Sequence, residues 1–179
     1  LEHYATIYTR TQEALTAGKF GLKSWRDTDE DWVAEAMRLL RDAEMDMTIF
    51  FRALAEVPPD RPTIEPLLES FYREDLRDRH AAAIGEWLVR YAARIREDQE
   101  PEALRRERMN AHNPRYVLRN YLAQEAIDAA HAGDDSIIHE LLDVMRHPYD
   151  EQPGRERYAA KRPDWARTKA GCSMLSCSS

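Results

Sequence analysis

The chain reads as a succession of amphipathic helices, each opened and closed by residues of its own. Ile84, Leu88, Tyr91 and Ile95 recur at i, i+4, i+7 and i+11, which places all four on one side of a helix. Asp46 stands as an N-cap before a short helix through Leu54, and Pro58-Pro59 bars its continuation. Thr28 offers a cap hydroxyl, and Asp29, Glu30 and Asp31 suit the positive helix end. Trp32, Val33, Ala36, Met37 and Leu40 then form one apolar face. Tyr4, Ile7, Tyr8 and Leu15 keep helical spacing, with Gly18 placed as a left-handed stop.

Later elements obey the same logic. Pro66 is tolerable only in a first turn, so a helix is expected from Thr63. Pro101 restarts the chain into a polar helix through about Met109. Asn113-Pro114 reads as a cap and a first-position proline, opening a helix to Ala132 with Gly133 as its stop. Its inward face is Leu118, Tyr121, Leu122 and Ala126. Ser136 begins the last helix, with Ile137, Ile138, Leu141, Leu142 and Met145 inward and Pro148 at its end. No strand alternation or internal repeat accompanies these signals. The expected fold is all-α, an irregular bundle of about seven helices over 1–147. A tail over 148–179 completes the chain, carrying Pro148, Pro153 and Pro163 and no sustained period.

Composition agrees. The 179 residues are 43% hydrophobic and 33% charged, with six glycines, a balance that favours helices over a β-sandwich. The net charge of −7 argues against a general nucleic-acid role. No apolar run approaches the ~20 residues needed to span a bilayer. No leader is visible, and the chain opens at Leu1 without a methionine, as a fragment would. Two cysteines in the last eight residues make no secreted disulfide scaffold, so a reducing, cytoplasmic setting is expected.

Those cysteines, Cys172 and Cys177, lie in a small-residue segment unsuited to building a core. Cysteine is otherwise a buried residue type, so the placement suits redox chemistry better than packing. Cys177 ranks first, and a Cys172–Cys177 bridge is a second possibility. His139, Asp143 and His147 sit at i, i+4 and i+8, a spacing that would allow a helical metal site. A polar outer face explains the same pattern, and no metal is assigned. Nine arginines between Arg73 and Arg108 are matched by nine acids, the pattern of a solvated, ion-paired helix surface. Trp25, Trp32 and Trp87 are expected core anchors. Trp165, in the tail, is expected to pin that tail down.

Several segments together carry a resemblance. They are Asn113-Pro114-Arg115-Tyr116-Val117-Leu118-Arg119-Asn120-Tyr121-Leu122, Gly133-Asp134, Met145-Arg146-His147-Pro148-Tyr149, Pro163-Asp164-Trp165-Ala166 and a closing Cys177-Ser178-Ser179. Gly21-Leu22 and the Asp46–Leu54 stretch add to them. The chain resembles the C-terminal part of the selenoprotein-O family, whose animal members carry selenocysteine where Cys177 stands. The resemblance implies a kinase-fold parent protein that transfers AMP from ATP, with magnesium, to Ser, Thr or Tyr hydroxyls of proteins.

It also implies a nucleotide site upstream of Leu1, so that this chain alone binds no cofactor and does not catalyse. The partners implied are the missing N-terminal kinase-like core and the parent's protein substrates. Asn113, Arg119, Asn120 and Trp165 are then candidates for seating the helices against that core, and Cys177 for a redox clamp on activity. The alternative is a stand-alone helical interaction module with a redox-sensing tail.

Overall fold

The computed structural model describes residues 2–169 and Cys172. Among them are seven α-helices: α1 (Glu2–Phe20), α2 (Asp29–Asp42), α3 (Met47–Leu54), α4 (Glu74–Glu97), α5 (Glu102–His112), α6 (Asn120–His131) and α7 (Ser136–Arg146). Three short 3-10 turns span Glu65–Ser70, Glu156–Ala159 and Asp164–Arg167. The described residues hold no strand, only one antiparallel bridge between Met45 and Phe71. The all-helical expectation is met. The chain forms two compact units that divide between Asn113 and Pro114, not after His147.

The first unit holds α1–α5. The C-terminal half of α1 packs on α3 and α5, and α2 packs on α4. Aromatic rings fill the space between them. Phe20 meets Trp32 and Phe51 edge-on at 5.3 and 5.1 Å, and Trp87 stacks on Tyr91 at 5.2 Å. Burying each large side chain contributes roughly 1.5–3 kcal/mol. Trp87 Nε1 donates to the Trp32 carbonyl (2.8 Å), and the Tyr91 hydroxyl to that of Phe20 (3.0 Å). Burial pushes the Tyr91 phenol up to about 12. Ile84, Leu88, Tyr91 and Ile95 are all buried, as their spacing requires.

Asp46 caps α3 as predicted, its Oδ1 accepting the Ile49 N–H at 3.1 Å. Elsewhere in this unit the details differ. Thr28 makes no side-chain cap on α2. Asp29, the first residue of α2, is buried and accepts from the Arg26 N–H (3.0 Å), Trp32 Nε1 (3.1 Å) and Arg94 Nε (2.8 Å). Met37 is exposed. The helix expected from Thr63 is a 3-10 turn starting at Glu65, with Pro66 in its opening. Gly18 is not the stop of α1. The helix runs on to Phe20, and Gly21 takes the left-handed conformation with φ 77°.

The arginine-rich span is only partly a solvated surface. Arg73, Arg77, Arg90 and Arg106 pair with acids at the surface. Arg94 and Arg105 are buried. Arg94 bridges Asp29 and Asp98, at 2.8 Å to each. Arg105 has no carboxylate within ion-pair distance among the described residues. Its Nη2 donates to the carbonyls of Ala55 (3.0 Å) and Val57 (3.2 Å), just past the end of α3.

In the second unit, α6 starts at Asn120, six residues later than Asn113-Pro114 suggests. Residues 114–119 form a non-helical strap instead. The N–H groups of Arg115 and Tyr116 both donate to the Pro148 carbonyl, at 2.7 and 3.0 Å. Leu118 therefore lies outside the helical register and is 59% exposed. Tyr121, Leu122 and Ala126 are the buried face of α6, and Gly133 ends the helix with φ 89°. On α7, Leu141 and Val144 face inward while Ile138 and Leu142 face out.

The described part of the segment after Pro148 is not an open tail. Tyr158, Ala166 and Cys172 are buried in one cluster with Tyr116, Tyr121, Leu122 and Leu141. The Gln152 amide donates to the carbonyls of Val144 (3.1 Å) and His147 (2.8 Å), closing the end of α7. The Tyr158 hydroxyl donates to Glu140, which Arg155 also pairs at 2.9 Å. This packing explains why the unit boundary falls before α6 and not after α7.

Candidate functional site

The region of greatest interest is the approach to Cys172, and α6 builds it. Asn120, Gln124 and Asp128 stand four residues apart and form one ridge. The Asn120 amide donates to the Cys172 carbonyl at 3.4 Å. Lys169 Nζ pairs with Asp128 at 2.5 Å, and Gln124 Nε2 donates to the other carboxylate oxygen at 2.7 Å. The Asp128 hydrogen bond holds the Lys169 ammonium above its ordinary value. Hydrogen bonds from Lys169 and Gln124 hold the Asp128 carboxyl below its own. One residue off the ridge, the Tyr121 hydroxyl donates to the Ala160 carbonyl at 3.2 Å, and its ring meets Trp165 edge-on at 6.2 Å. The chain from Ala160 to Cys172 is thus tied to one helix at several points.

Cys172 is a free thiol buried in this packing, contrary to the expectation of an accessible segment. It shares a buried cluster with Tyr116, Tyr121 and Leu122, which no local pattern around residue 172 reveals. Cys177 lies outside the described residues. The Trp165 ring meets Tyr121 edge-on and leaves 44% of its own surface open. Arg119 occupies the N-cap position of α6 in extended conformation. Asn113 is buried in the first unit as the C-cap of α5, and its amide donates to the carbonyls of Lys19 and Met109, both at 2.9 Å. The seating candidates are divided between the two units. Asn113 belongs to one unit, and Arg119, Asn120 and Trp165 to the other.

The possible metal ligands are also dispersed. His139 pairs with Asp135 (3.5 Å), Asp143 with Arg146 (2.8 Å) and His147 with Asp150 (3.6 Å). Among the described residues no group of three or more His, Cys, Asp or Glu side chains converges. A groove of about 420 Å³ in the first unit is lined in part by Arg10, Glu13, Lys23, Arg108 and His112. Two of its cations are committed. Arg108 is bidentate on Glu100 at 2.5 and 2.6 Å, and Lys23 Nζ donates to the Asp98 carbonyl at 2.8 Å. Among the described residues no helix is long and apolar enough to cross a membrane.

Sequence reasoning missed Tyr121, Gln124, Asp128 and Lys169 as the fastening of the cysteine segment. The i, i+4, i+8 ridge on α6 was legible, but Lys169, forty-one residues beyond Asp128, was not.

Comparison with known proteins gives a consistent answer. The model of the family described as protein adenylyltransferase SelO matches residues 1–146. A protein nucleotidyltransferase YdiU of Aromatoleum aromaticum is 52% identical over all 179 residues, which make up 34% of that protein. Proteins of the same name from Xanthomonas axonopodis pv. citri and Azoarcus sp. are likewise 52% identical over the whole chain, covering 35% and 34% of their lengths. The chain spans about a third of the length of these relatives. The family match stops at Arg146, whereas the pairwise matches continue through both cysteines. The chain belongs to the protein adenylyltransferase SelO family.

Proposed function

We propose that this chain is a helical scaffold within a longer protein adenylyltransferase, one that moves AMP from ATP to Ser, Thr or Tyr hydroxyls of proteins. The observation that carries the reading is the family match together with relatives named protein nucleotidyltransferases. The nucleotide and magnesium sites belong, on this reading, to the part of the longer protein outside these residues. The buried carboxylates here do not fit them. Asp29 is taken up by Arg94 and Trp32, and Asp46 by the Ile49 N–H and the Tyr72 hydroxyl. No catalytic step is therefore derived from this chain's residues.

The second part of the proposal is that Cys177 is the redox-responsive thiol, with its partner in the kinase-like core of the longer protein. The anchorage described above supports it by limiting reach. Cys172 is fastened to α6, and five residues of extended chain span at most about 18 Å, so the partner of Cys177 must lie close to the end of this unit. The free thiol of Cys172 suits a reducing compartment, and we place the protein in the cytoplasm.

The test is transfer of labelled AMP by the Aromatoleum aromaticum relative carrying this sequence in place of its matched third. The chimaera should label a generic protein acceptor in the presence of Mg-ATP, and the 179-residue chain alone should not. Transfer by the isolated chain, or a folded chimaera that binds ATP without transfer, refutes the reading. Oxidation should lower transfer in the chimaera and in Cys172→Ser but not in Cys177→Ser. An unchanged response in Cys177→Ser ends the clamp idea.

A further inference from the structure

Helix α1 begins with a length of helix that its own unit does not support. Every residue from 3 to 12 is exposed, while Ala17 and Phe20 near its C-terminus are buried. An isolated helix of that length is marginal in water, because few residues share the cost of nucleation. Its surface is not that of a solvated extension. Tyr4, Ile7, Tyr8 and Leu15 are 72%, 52%, 56% and 50% exposed. At 3.6 residues per turn they share an arc of about 100°, well apart from the direction of Phe20.

Two details make the stripe suited to contact. The rings of Tyr4 and Tyr8 stack at 6.4 Å with an interplanar angle of 23°. Thr11, between Ile7 and Leu15 on the same side, donates its hydroxyl to the Ile7 carbonyl at 2.8 Å, so covering it leaves no new unpaired donor. Together the four side chains offer on the order of a few hundred Å² of apolar surface, the size at which exposed patches mark interaction faces.

We infer that this face of α1 is covered by the part of the longer family protein that lies outside these 179 residues. The occupant is argued from length. The relatives contain this whole sequence within chains about three times as long, so each carries α1 beside a large body of additional polypeptide. The fitting partner is an apolar surface that accepts two stacked phenol rings, since Arg10 and Glu13 lie off the stripe, toward the groove. The inference rests on the scaffold reading above and specifies which surface does the bracing.

The experiment compares amide hydrogen exchange at residues 5–12 in the 179-residue chain and in the chimaeric Aromatoleum aromaticum relative. Exchange should be fast in the isolated chain and slowed ~100-fold or more in the chimaera. Ile7→Asp with Tyr8→Asp should return it to the fast rate without altering protection in α4. If the chimaera does not fold, mixing the chain with the remaining two-thirds of the relative should give the same slowing in trans. Equally fast exchange in every format overturns the inference. So does protection in the isolated chain that rises with its concentration, which would assign the face to a second copy. The readout is independent of AMP transfer, so an inactive chimaera with protected residues 5–12 refutes only the functional reading.

Discussion

The imidazole of His112 occupies the space that a side chain on residue 18 would need. A Cβ built on Gly18 would fall 2.3 Å from His112 Cδ2 and 2.6 Å from Cγ. The ring has little freedom to retreat, because its Nδ1 donates to the Arg108 carbonyl at 2.8 Å. Gly18 lies inside α1, where alanine would ordinarily be worth ~1 kcal/mol in helix propensity. Here the clash reverses the sign. Gly18→Ala should cost about 1–3 kcal/mol as overpacking, read as a shift in urea midpoint. In a His112→Ala background the same change should be neutral or stabilising, and a cost that persists there would mean the ring is not the obstacle.

Leu118 and Leu122 offer a paired test of the second unit. Leu122→Ala should destabilise by about 2–5 kcal/mol because it empties a buried position. Leu118→Ala should stay within about 0.5 kcal/mol, the range of surface changes. Similar losses at both sites would put the start of α6 back near Pro114.

Asp98 gives the first unit a specific acid sensitivity. Burial pushes its carboxyl up, but the Lys23 N–H, Arg94 and Arg26 together outweigh that and hold it below the ordinary value. A carboxyl depressed in the folded state contributes stability above its unfolded pKa of about 4. That contribution is lost as pH falls through the lower folded value. Asp98→Asn should therefore be less stable at neutral pH and show a flatter decline below about pH 4. Denaturation midpoints across the acid range measure this, and parallel curves for the two proteins would contradict it.

Tyr158 should decide whether the segment after Pro148 is folded. Replacing it by alanine should cost about 3–5 kcal/mol, as for other large buried aromatics. The same change should open Arg155, Arg157 and Arg162 to trypsin. Rapid cleavage at these sites in the unaltered protein would show that the segment is open after all.

The contrast between α4 and the Asn113-Pro114 stretch shows what a sequence can reveal here. Helix α4 is legible because its apolar residues repeat every three or four positions and one direction satisfies them all. Asp46 and Gly133 are legible for a similar reason, since a cap and a stop act on their own neighbours. Asn113 has the right chemistry for a cap but serves the preceding helix, because the Lys19 and Met109 carbonyls claim its amide. The strap after it depends on Pro148, thirty-odd residues away. Tyr158, Ala166 and Cys172 are too widely spaced for any window to register a face. Of the candidate site, the ridge on α6 was written locally, and its fastening to Lys169 was not.

Arg105 carries a consequence for how this family can change. One arm of its guanidinium, Nη2, is held by the oxygens of Ala55 and Val57, which belong to the main chain and are supplied by every amino acid. No side chain at the end of α3 needs to mutate in step with it. Drift at positions 55 and 57 therefore leaves the arginine's obligation intact, and relief would require moving the backbone itself. Searches for correlated substitutions would see only the other half of the site, where Nη1 donates to the Tyr91 hydroxyl (3.3 Å) and Met109 Sδ (3.1 Å), because the main-chain half has no second column in which to appear.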